Sequence, residues 1–228
     1  IAASFLTLPD EYDVVLSASA GFAKGITHSK NAVHISYCYT PLRYAWEFPS
    51  YFPHWPEGLK LVTAPFFRYL RWWDRRASRR PQQLFAISHF IADKIKQSYG
   101  REAGVVYPPV DLDVFYPDQK APRDGYFLAV GRLIHYKRFD LIIDAFNQLQ
   151  LPLVVVGIGP EEERLKKMAH SPKIQFLPFV GDEELRSLYS GAEAVVFPQT
   201  EDFGLVAAEA QACGTPVIAY AAGGAKEI

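Results

Sequence analysis

The sequence predicts an α/β protein built on two doubly wound sheets. Three observations carry that reading. In the second half, short apolar runs alternate with helical segments, the pattern of right-handed βαβ units. The first half carries four further strand candidates separated by longer stretches. A proline- and aspartate-rich stretch, Pro108–Asp124, lies between the halves and reads as an interdomain linker. The expected organisation is therefore a first domain over 1–110, a linker over 111–124 and a second domain over 125–228.

In chain order, VVLS (Val14–Ser17), VHISY (Val33–Tyr37), QLFAIS (Gln83–Ser88) and GVVY (Gly104–Tyr107) are the first-half strands. A segment rich in Pro, Tyr, Trp and Phe (Pro41–Pro65) separates the second from the third. A helix follows it. At 100° per residue Phe66, Leu70, Trp73 and Ala77 fall within about 60° of one another, and Arg68, Arg71, Arg75 and Arg79 gather opposite. That basic side reads either as a solvated face or as one that meets anionic lipid headgroups, a peripheral membrane contact, or an anionic substrate.

The second half is more regular. GYFLAVG (Gly125–Gly131) is an apolar run ending in glycine, as a buried parallel strand should be. Phe139–Leu149 has helical spacing, and LPLVVVG (Leu151–Gly157) is again strand-like. Pro160–Ala169 opens with Pro and three Glu, which suits the positive end of a helix. Ile174–Leu177, Ala194–Phe197 and Pro216–Tyr220 are the remaining strands, with helices at Asp182–Ser190 and Gly204–Cys213.

Composition narrows the function classes. With 49% hydrophobic residues and a mean hydropathy of −0.04, the chain can bury a sizeable core and is not intrinsically disordered. Twenty-four basic residues against 25 acidic ones give a net charge of −1, which argues against a nucleic-acid partner. Cys38 and Cys213 stand far apart in no CxxC arrangement and read as reduced thiols of a cytoplasmic protein. No apolar run reaches the roughly 18 residues that a membrane span requires. The chain opens at Ile1 without Met and stops at Ile228, so it is expected to be a fragment of a longer protein, with little activity by itself.

The charged residues that matter follow strands. GYFLAVG runs into Arg132 and, after Leu133–Tyr136, into Lys137 and Arg138 at the entrance of a helix. Ligands of doubly wound sheets bind at the carboxyl ends of the strands. Gly131, Arg132 and Lys137 there, beside a helix N-terminus, suit a diphosphate. Surface cations before a helix are the alternative. A Walker loop is absent, and GIGPEE (Gly157–Glu162) lacks a third glycine and carries acids, which disfavours a dinucleotide site. After the strand Ala194–Phe197 comes EDFGLVAAE (Glu201–Glu209). Phe203, Gly204 and Leu205 fall at a helix start, where backbone N–H groups meet an anion or sugar oxygens. Glu201 and Glu209 supply the acceptors that sugar and ribose hydroxyls need. A Gly-Gly turn in AAGGAKEI (Ala221–Ile228) adds another backbone approach at the same sheet edge, with Glu227 either structural or part of the site.

Together AVGRLIHYKR, VVVGIGPEEERL, FPQTEDFGLVAAEAQACGTPVIAYAAGGAKEI, YCYTPLRYAWEF and ISHFIADKIKQSYG resemble glycosyltransferase family 4, retaining enzymes of GT-B architecture. YCYTPLRYAW further resembles a mannosyltransferase-like subset acting on surface polysaccharides. The resemblance implies two Rossmann-like domains facing a cleft, both incomplete in this chain. It also implies a nucleotide-diphosphate sugar as donor, a glycan or lipid-linked acceptor, and a hexose, in this subset mannose from GDP-mannose, as the group transferred. By the same resemblance Arg132 and Lys137 hold the diphosphate, Glu201 the donor sugar, and Glu209 the ribose, with backbone support near Phe203–Leu205. Protein cations can do this work, so no metal cofactor is implied, and no DxD-type motif reads as a metal site.

One departure stands out. Where the family subset carries a His before Thr-Pro, this chain has Tyr39, which can donate a hydrogen bond but does not carry charge near neutral pH. Tyr39 and Arg43 are the acceptor-side candidates, while His34 reads as a structural strand residue and His89 is uncommitted. A non-catalytic sugar-nucleotide binder, motivated by Tyr39, and a GT-B sugar-nucleotide epimerase remain alternatives.

Overall fold

A computed structural model describes residues 12–27, 31–48, 55–122 and 124–228. They fall into two compact units, Ile1–Tyr107 with Glu227 and Pro108–Lys226 with Ile228. Both are α/β, with parallel sheets flanked by helices. Residues 49–54 of the aromatic segment Pro41–Pro65 lie outside the described residues.

In the first unit β1 (Val14–Ser19), β2 (Val33–Cys38), β3 (Gln83–Ala86) and β4 (Gly104–Val105) pair in that order. Among the described residues the connections hold α1 (Arg43–Trp46), α2 (Glu57–Ala77) and α3 (His89–Tyr99), with a 3-10 turn at Ala23–Gly25. The sheet ends earlier at β3 than the run QLFAIS suggests, because Ser88 is taken as the N-cap of α3: its Oγ accepts from the Ile91 N–H at 3.1 Å. His34 is buried in β2, and its Nε2 lies 2.9 Å from Ser17 Oγ on β1. It is a strand-to-strand tie, as its alternating position suggests.

A buried polar hub holds the helices of this unit. Lys24 Nζ and Asp74 Oδ1 are 2.7 Å apart, with both side chains at most 2% exposed. Asp74 Oδ2 accepts from Tyr99 Oη at 2.7 Å, Trp46 Nε1 at 2.8 Å and the Leu42 N–H at 3.3 Å. Lys24 also donates to the Gly21 carbonyl at 2.8 Å. A charge so buried persists only when paired and hydrogen-bonded, and one carboxylate here fastens α1, α2 and α3 together.

That hub explains why α2 is turned differently from the sequence expectation. The expected inward side of Phe66, Leu70, Trp73 and Ala77 is only partly inward. Phe67, Asp74 and Ala77 are the buried positions, and Phe66 is exposed. The expected basic face is divided. Arg71 Nε donates to the Ala45 carbonyl at 2.6 Å, and Arg75 Nε to the Ser98 carbonyl at 2.8 Å, with its guanidinium over the Trp46 ring. Helical angle alone sets Arg71 and Arg75 on an outward side, whereas both donate to backbone carbonyls of neighbouring helices. The outward side instead carries Leu61, Val62, Tyr69 and Trp72 among Arg68 and Arg76. Among the described residues no helix is long and apolar enough to cross a membrane.

The second unit contains β5 (Phe127–Val130), β6 (Leu153–Val156), β7 (Ile174–Leu177), β8 (Ala194–Phe197) and β9 (Val217–Ala219), all parallel, in the order β7-β6-β5-β8-β9. Helices α4 (Phe139–Leu149), α5 (Glu162–Met168), α6 (Asp182–Gly191) and α7 (Leu205–Ala212) connect them. Strand β6 shows why the sheet is buried on both faces. Leu153 and Val155 join Phe139, Ile143 and Phe146 on one side, while Val154 and Val156 join Leu128, Tyr189 and Val195 on the other. Alternation with apolar residues on both faces is what a helix-covered parallel sheet needs. The acidic stretch 111–124 is more than a tether, since Phe115 is buried in the second core and Val114 packs beside it.

Candidate functional site

The chain builds β5, β6 and β7 outward in one direction and then returns to lay β8 on the other side of β5. This reversal is a topological switch point, where the loops leaving adjacent strands part and leave a crevice. The loop after β5 carries Gly131, Arg132 and Lys137, and the loop after β8 carries Glu201, Phe203 and Gly204. Lys137 Nζ and Glu201 Oε1 form an ion pair across that crevice, with side chains 16% and 17% exposed. The two residues are 64 positions apart in sequence and meet only through the strand order.

Each loop is held by backbone. The Gly131 N–H donates to the Val156 carbonyl at 3.0 Å, the Leu133 N–H to Ile158 at 2.9 Å, and the Glu161 N–H returns to Leu133 at 3.0 Å. Gly157 makes this contact feasible. At φ +145 it has a conformation that L side chains rarely adopt, and a Cβ there would lie 1.9 Å from the Gly131 carbonyl oxygen. The glycines of GIGP thus serve the packing of the Arg132 loop. Gly157→Ala is expected to destabilise the second unit by about 3 kcal/mol or more, since overpacking and backbone strain add. Chemical denaturation of the full-length protein measures it, and a loss below about 1 kcal/mol would contradict the packing role.

The opposite loop is zipped in the same way. Glu201 bridges Gly223 in parallel fashion, and the Gly224 N–H donates to the Glu201 carbonyl at 2.8 Å. A Cβ on Gly224 would lie 2.5 Å from the Asp202 carbonyl oxygen and from Phe203 Cα. The Gly-Gly turn therefore supports the Glu201 segment through its backbone, while Glu227 ends the short 3-10 turn that follows. Phe203 is buried, Gly204 has φ +112, and α7 starts at Leu205 without a side-chain cap. Because α7 follows β8 after one loop, its N-terminus, the end of a helix that favours an anion, comes after the carboxyl end of that strand.

Glu209 sits in α7, partly buried, and Tyr189 Oη donates to its Oε2 at 3.2 Å. Burial holds the Glu209 carboxyl above the usual carboxylate range, opposed by the Tyr189 hydrogen bond. Beside Gly131 and Arg132 lies a cavity of about 240 Å³, lined by Val130, Val156, Gly157, Ile158, Phe179, Val180 and Leu185. Its walls are almost wholly apolar, with Arg132 at one edge. Sequence reading missed Phe179, Leu185 and Tyr189. Phe179 and Val180 follow β7 closely, so an apolar pair just past a strand end was the available signal.

The structure thus gathers Gly131, Arg132, Lys137, Glu201, Phe203, Gly204, Leu205 and Glu209 in the second unit, around the carboxyl ends of β5 and β8 and the first turns of α7. Tyr39 and Arg43 belong to the first unit. Tyr39 follows β2, exposed, with its ring edge-on to Tyr37 at 5.5 Å. Arg43 opens α1 and lies 3.7 Å from Glu47. His89 begins α3, its ring 6.2 Å from that of Tyr107. Among the described residues no three His, Cys, Asp or Glu side chains are grouped as a metal site would require.

Comparison with known proteins agrees with this geometry. Residues 116–228 match the family described as glycosyl transferases group 1. Over 140 residues the chain is 38% identical to a D-inositol 3-phosphate glycosyltransferase of Mycobacterium sp. (strain KMS), and 39% identical to the protein of that name from Mycolicibacterium smegmatis. These alignments cover 53% of the chain and 32% of each relative, so the chain spans about a third of their length in the aligned region. Among solved structures, sucrose-phosphate synthase from Thermosynechococcus elongatus superposes with a TM-score of 0.74 at 20% identity, covering 95% of this chain and 58% of that one. Anabaena HepE in complex with UDP and glucose superposes with a TM-score of 0.69 at 19% identity, covering 96% and 61%. The fold is GT-B-like.

Proposed function

We propose, from the match of residues 116–228 to the glycosyl transferases group 1 family, that the full-length protein is a retaining glycosyltransferase that uses a nucleotide-diphosphate sugar. The observation that carries the proposal is the Lys137–Glu201 pair across the switch point, one cation and one acceptor where donor chemistry needs both. The apolar cavity beside Gly131 suits a flat nucleobase. Arg132 and Lys137 take the diphosphate, with the first turn of α7 and the backbone of Phe203–Leu205 in support. Glu201 accepts from donor-sugar hydroxyls and Glu209 from the ribose. When the anomeric C–O bond breaks, its electron pair passes to the departing diphosphate. Preorganised cations and helix N–H groups aimed at that charge then supply most of the rate enhancement. In this reading the protein's own cations replace a metal. Acceptor recognition falls in this reading to the first domain, where Tyr39 and Arg43 stand, and donor recognition to the second. The transferred group is a hexose, with mannose from GDP-mannose the specific choice, and the acceptor is a glycan or lipid-linked glycan.

Transfer of radiolabelled hexose from GDP-, UDP- or ADP-sugars by the full-length protein is the test. Transfer with retention at the anomeric centre is expected. Binding without transfer would favour the non-catalytic reading, and interconversion of the free sugar nucleotide would favour an epimerase.

A membrane partner is part of the same proposal, on the cytoplasmic side where nucleotide sugars are made. Leu61 and Val62 are each 77% exposed on α2, Tyr69 56% and Trp72 57%, with Arg68 and Arg76 on the same side. Past Glu57 the exposed charges of this helix are all cationic. Aromatic side chains interleaved with arginine suit the headgroup region of an anionic bilayer. Full-length protein is expected to sediment with phosphatidylglycerol vesicles far more than with phosphatidylcholine vesicles. The double substitution Tyr69→Ser and Trp72→Ser is expected to weaken that binding at least about tenfold. Equal binding to both vesicle types would contradict it.

A further inference from the structure

Tyr189 is a core residue with a polar end. Its side chain is fully buried in α6, in the apolar cluster with Phe115, Tyr126 and Val195. The Phe115 ring meets it edge-on at 6.0 Å, and its own carbonyl accepts from Thr215 Oγ1 at 2.5 Å. Ring and backbone are thus both fixed, and the hydroxyl reaches Glu209 Oε2 at 3.2 Å. Burial drives the Tyr189 phenol far above its ordinary value, so it remains a donor at every accessible pH. A carboxylate offers two oxygens and about four lone-pair directions. Engaging one oxygen from inside the core fixes the rotation of the group and leaves the other to accept from a ligand.

We infer that Tyr189 is a positioning residue that orients Glu209 toward a ribose hydroxyl and so sets a preference for ribonucleotide over deoxyribonucleotide ligands. The inference rests on the nucleotide-sugar reading proposed above. A merely structural tyrosine, satisfied by the nearest acceptor, would affect stability and leave that preference untouched.

The experiment is calorimetric titration of the full-length protein with GDP, UDP and ADP and with their 2′-deoxy and 3′-deoxy counterparts. Wild type is expected to prefer a ribose form by about tenfold, the scale of a hydrogen bond to a charged group. Glu209→Ala should abolish the preference. Tyr189→Phe should reduce it at least about threefold while keeping deoxy-ligand affinity within about twofold, and that unchanged affinity reports a folded site in the same titration. In the Glu209→Ala background Tyr189→Phe should add nothing to the ratio. A wild-type preference retained by Tyr189→Phe overturns the role of Tyr189 and leaves the nucleotide reading standing. A preference unaffected by Glu209→Ala overturns the inference through its target. Absence of binding by all three diphosphates to wild type overturns the nucleotide reading itself.

Discussion

Lys137→Ala in the full-length protein is expected to weaken nucleoside-diphosphate binding by about 100-fold, the upper range for a charge-assisted hydrogen bond. Two effects add. The cation for the diphosphate is lost, and Glu201, which Lys137 neutralises in the ligand-free site, becomes an uncompensated carboxylate beside an anionic ligand. Glu201→Gln separates the two. It leaves Lys137 free of its carboxylate partner, so a diphosphate lacking the sugar should bind within about threefold of wild type or more tightly. Hexose transfer should nevertheless fall by about 100-fold, because an acceptor for the sugar hydroxyls has been weakened. Calorimetry and a transfer assay on the same preparations measure both. Lys137→Ala binding within threefold of wild type would remove Lys137 from the site.

Asp74→Ala carries the largest expected cost in stability, about 3–5 kcal/mol, because a buried charge is left without its partner. Lys24, 2% exposed, would keep the Gly21 carbonyl and the Tyr99 ring face, and Trp46 Nε1, Tyr99 Oη and the Leu42 N–H would each lose an acceptor. The damage has a functional direction, since Leu42 and Trp46 flank Arg43 in the segment following Tyr39. Replacing both charges, Lys24→Met with Asp74→Leu, should recover only the part of the loss due to the stranded Lys24 charge, because Trp46 Nε1, Tyr99 Oη and the Leu42 N–H still lack their acceptor. Urea unfolding followed by the fluorescence of the first-unit tryptophans, Trp46, Trp55, Trp72 and Trp73, is the measurement. A loss under about 1 kcal/mol for Asp74→Ala would show the hub to be dispensable.

Which parts of this architecture could be read without coordinates follows from the range of the interactions involved. Strand β6 was legible because Leu153–Val156 is apolar at every position, and a run of that kind fits only a sheet covered on both faces. Arg132, Lys137, Glu201 and Glu209 were legible as chemistry at strand ends, through motif and family resemblance. Their grouping was not, because the Lys137–Glu201 pair depends on β8 lying beside β5. The GIGP glycines were read by the phosphate site they fail to make, whereas Gly157 in fact admits the Gly131 carbonyl. Helix α2 misled for another reason. Its Asp74 is buried and Arg71 and Arg75 reach backbone carbonyls, so charge did not mark the solvent side. Tyr189 carries no sequence signal of its contact with Glu209, since periodicity locates a ring and says nothing of where its hydroxyl ends.

The donor site itself is tested most directly by thermal-shift screening of the full-length protein against GDP-, UDP- and ADP-sugars. A ligand present at 100 times its dissociation constant stabilises by about 2.7 kcal/mol. The expected result is a clear upward shift with at least one of the three, reduced in Lys137→Ala. No shift with any of them at millimolar concentration would contradict a nucleotide-sugar site at the β5–β8 switch point.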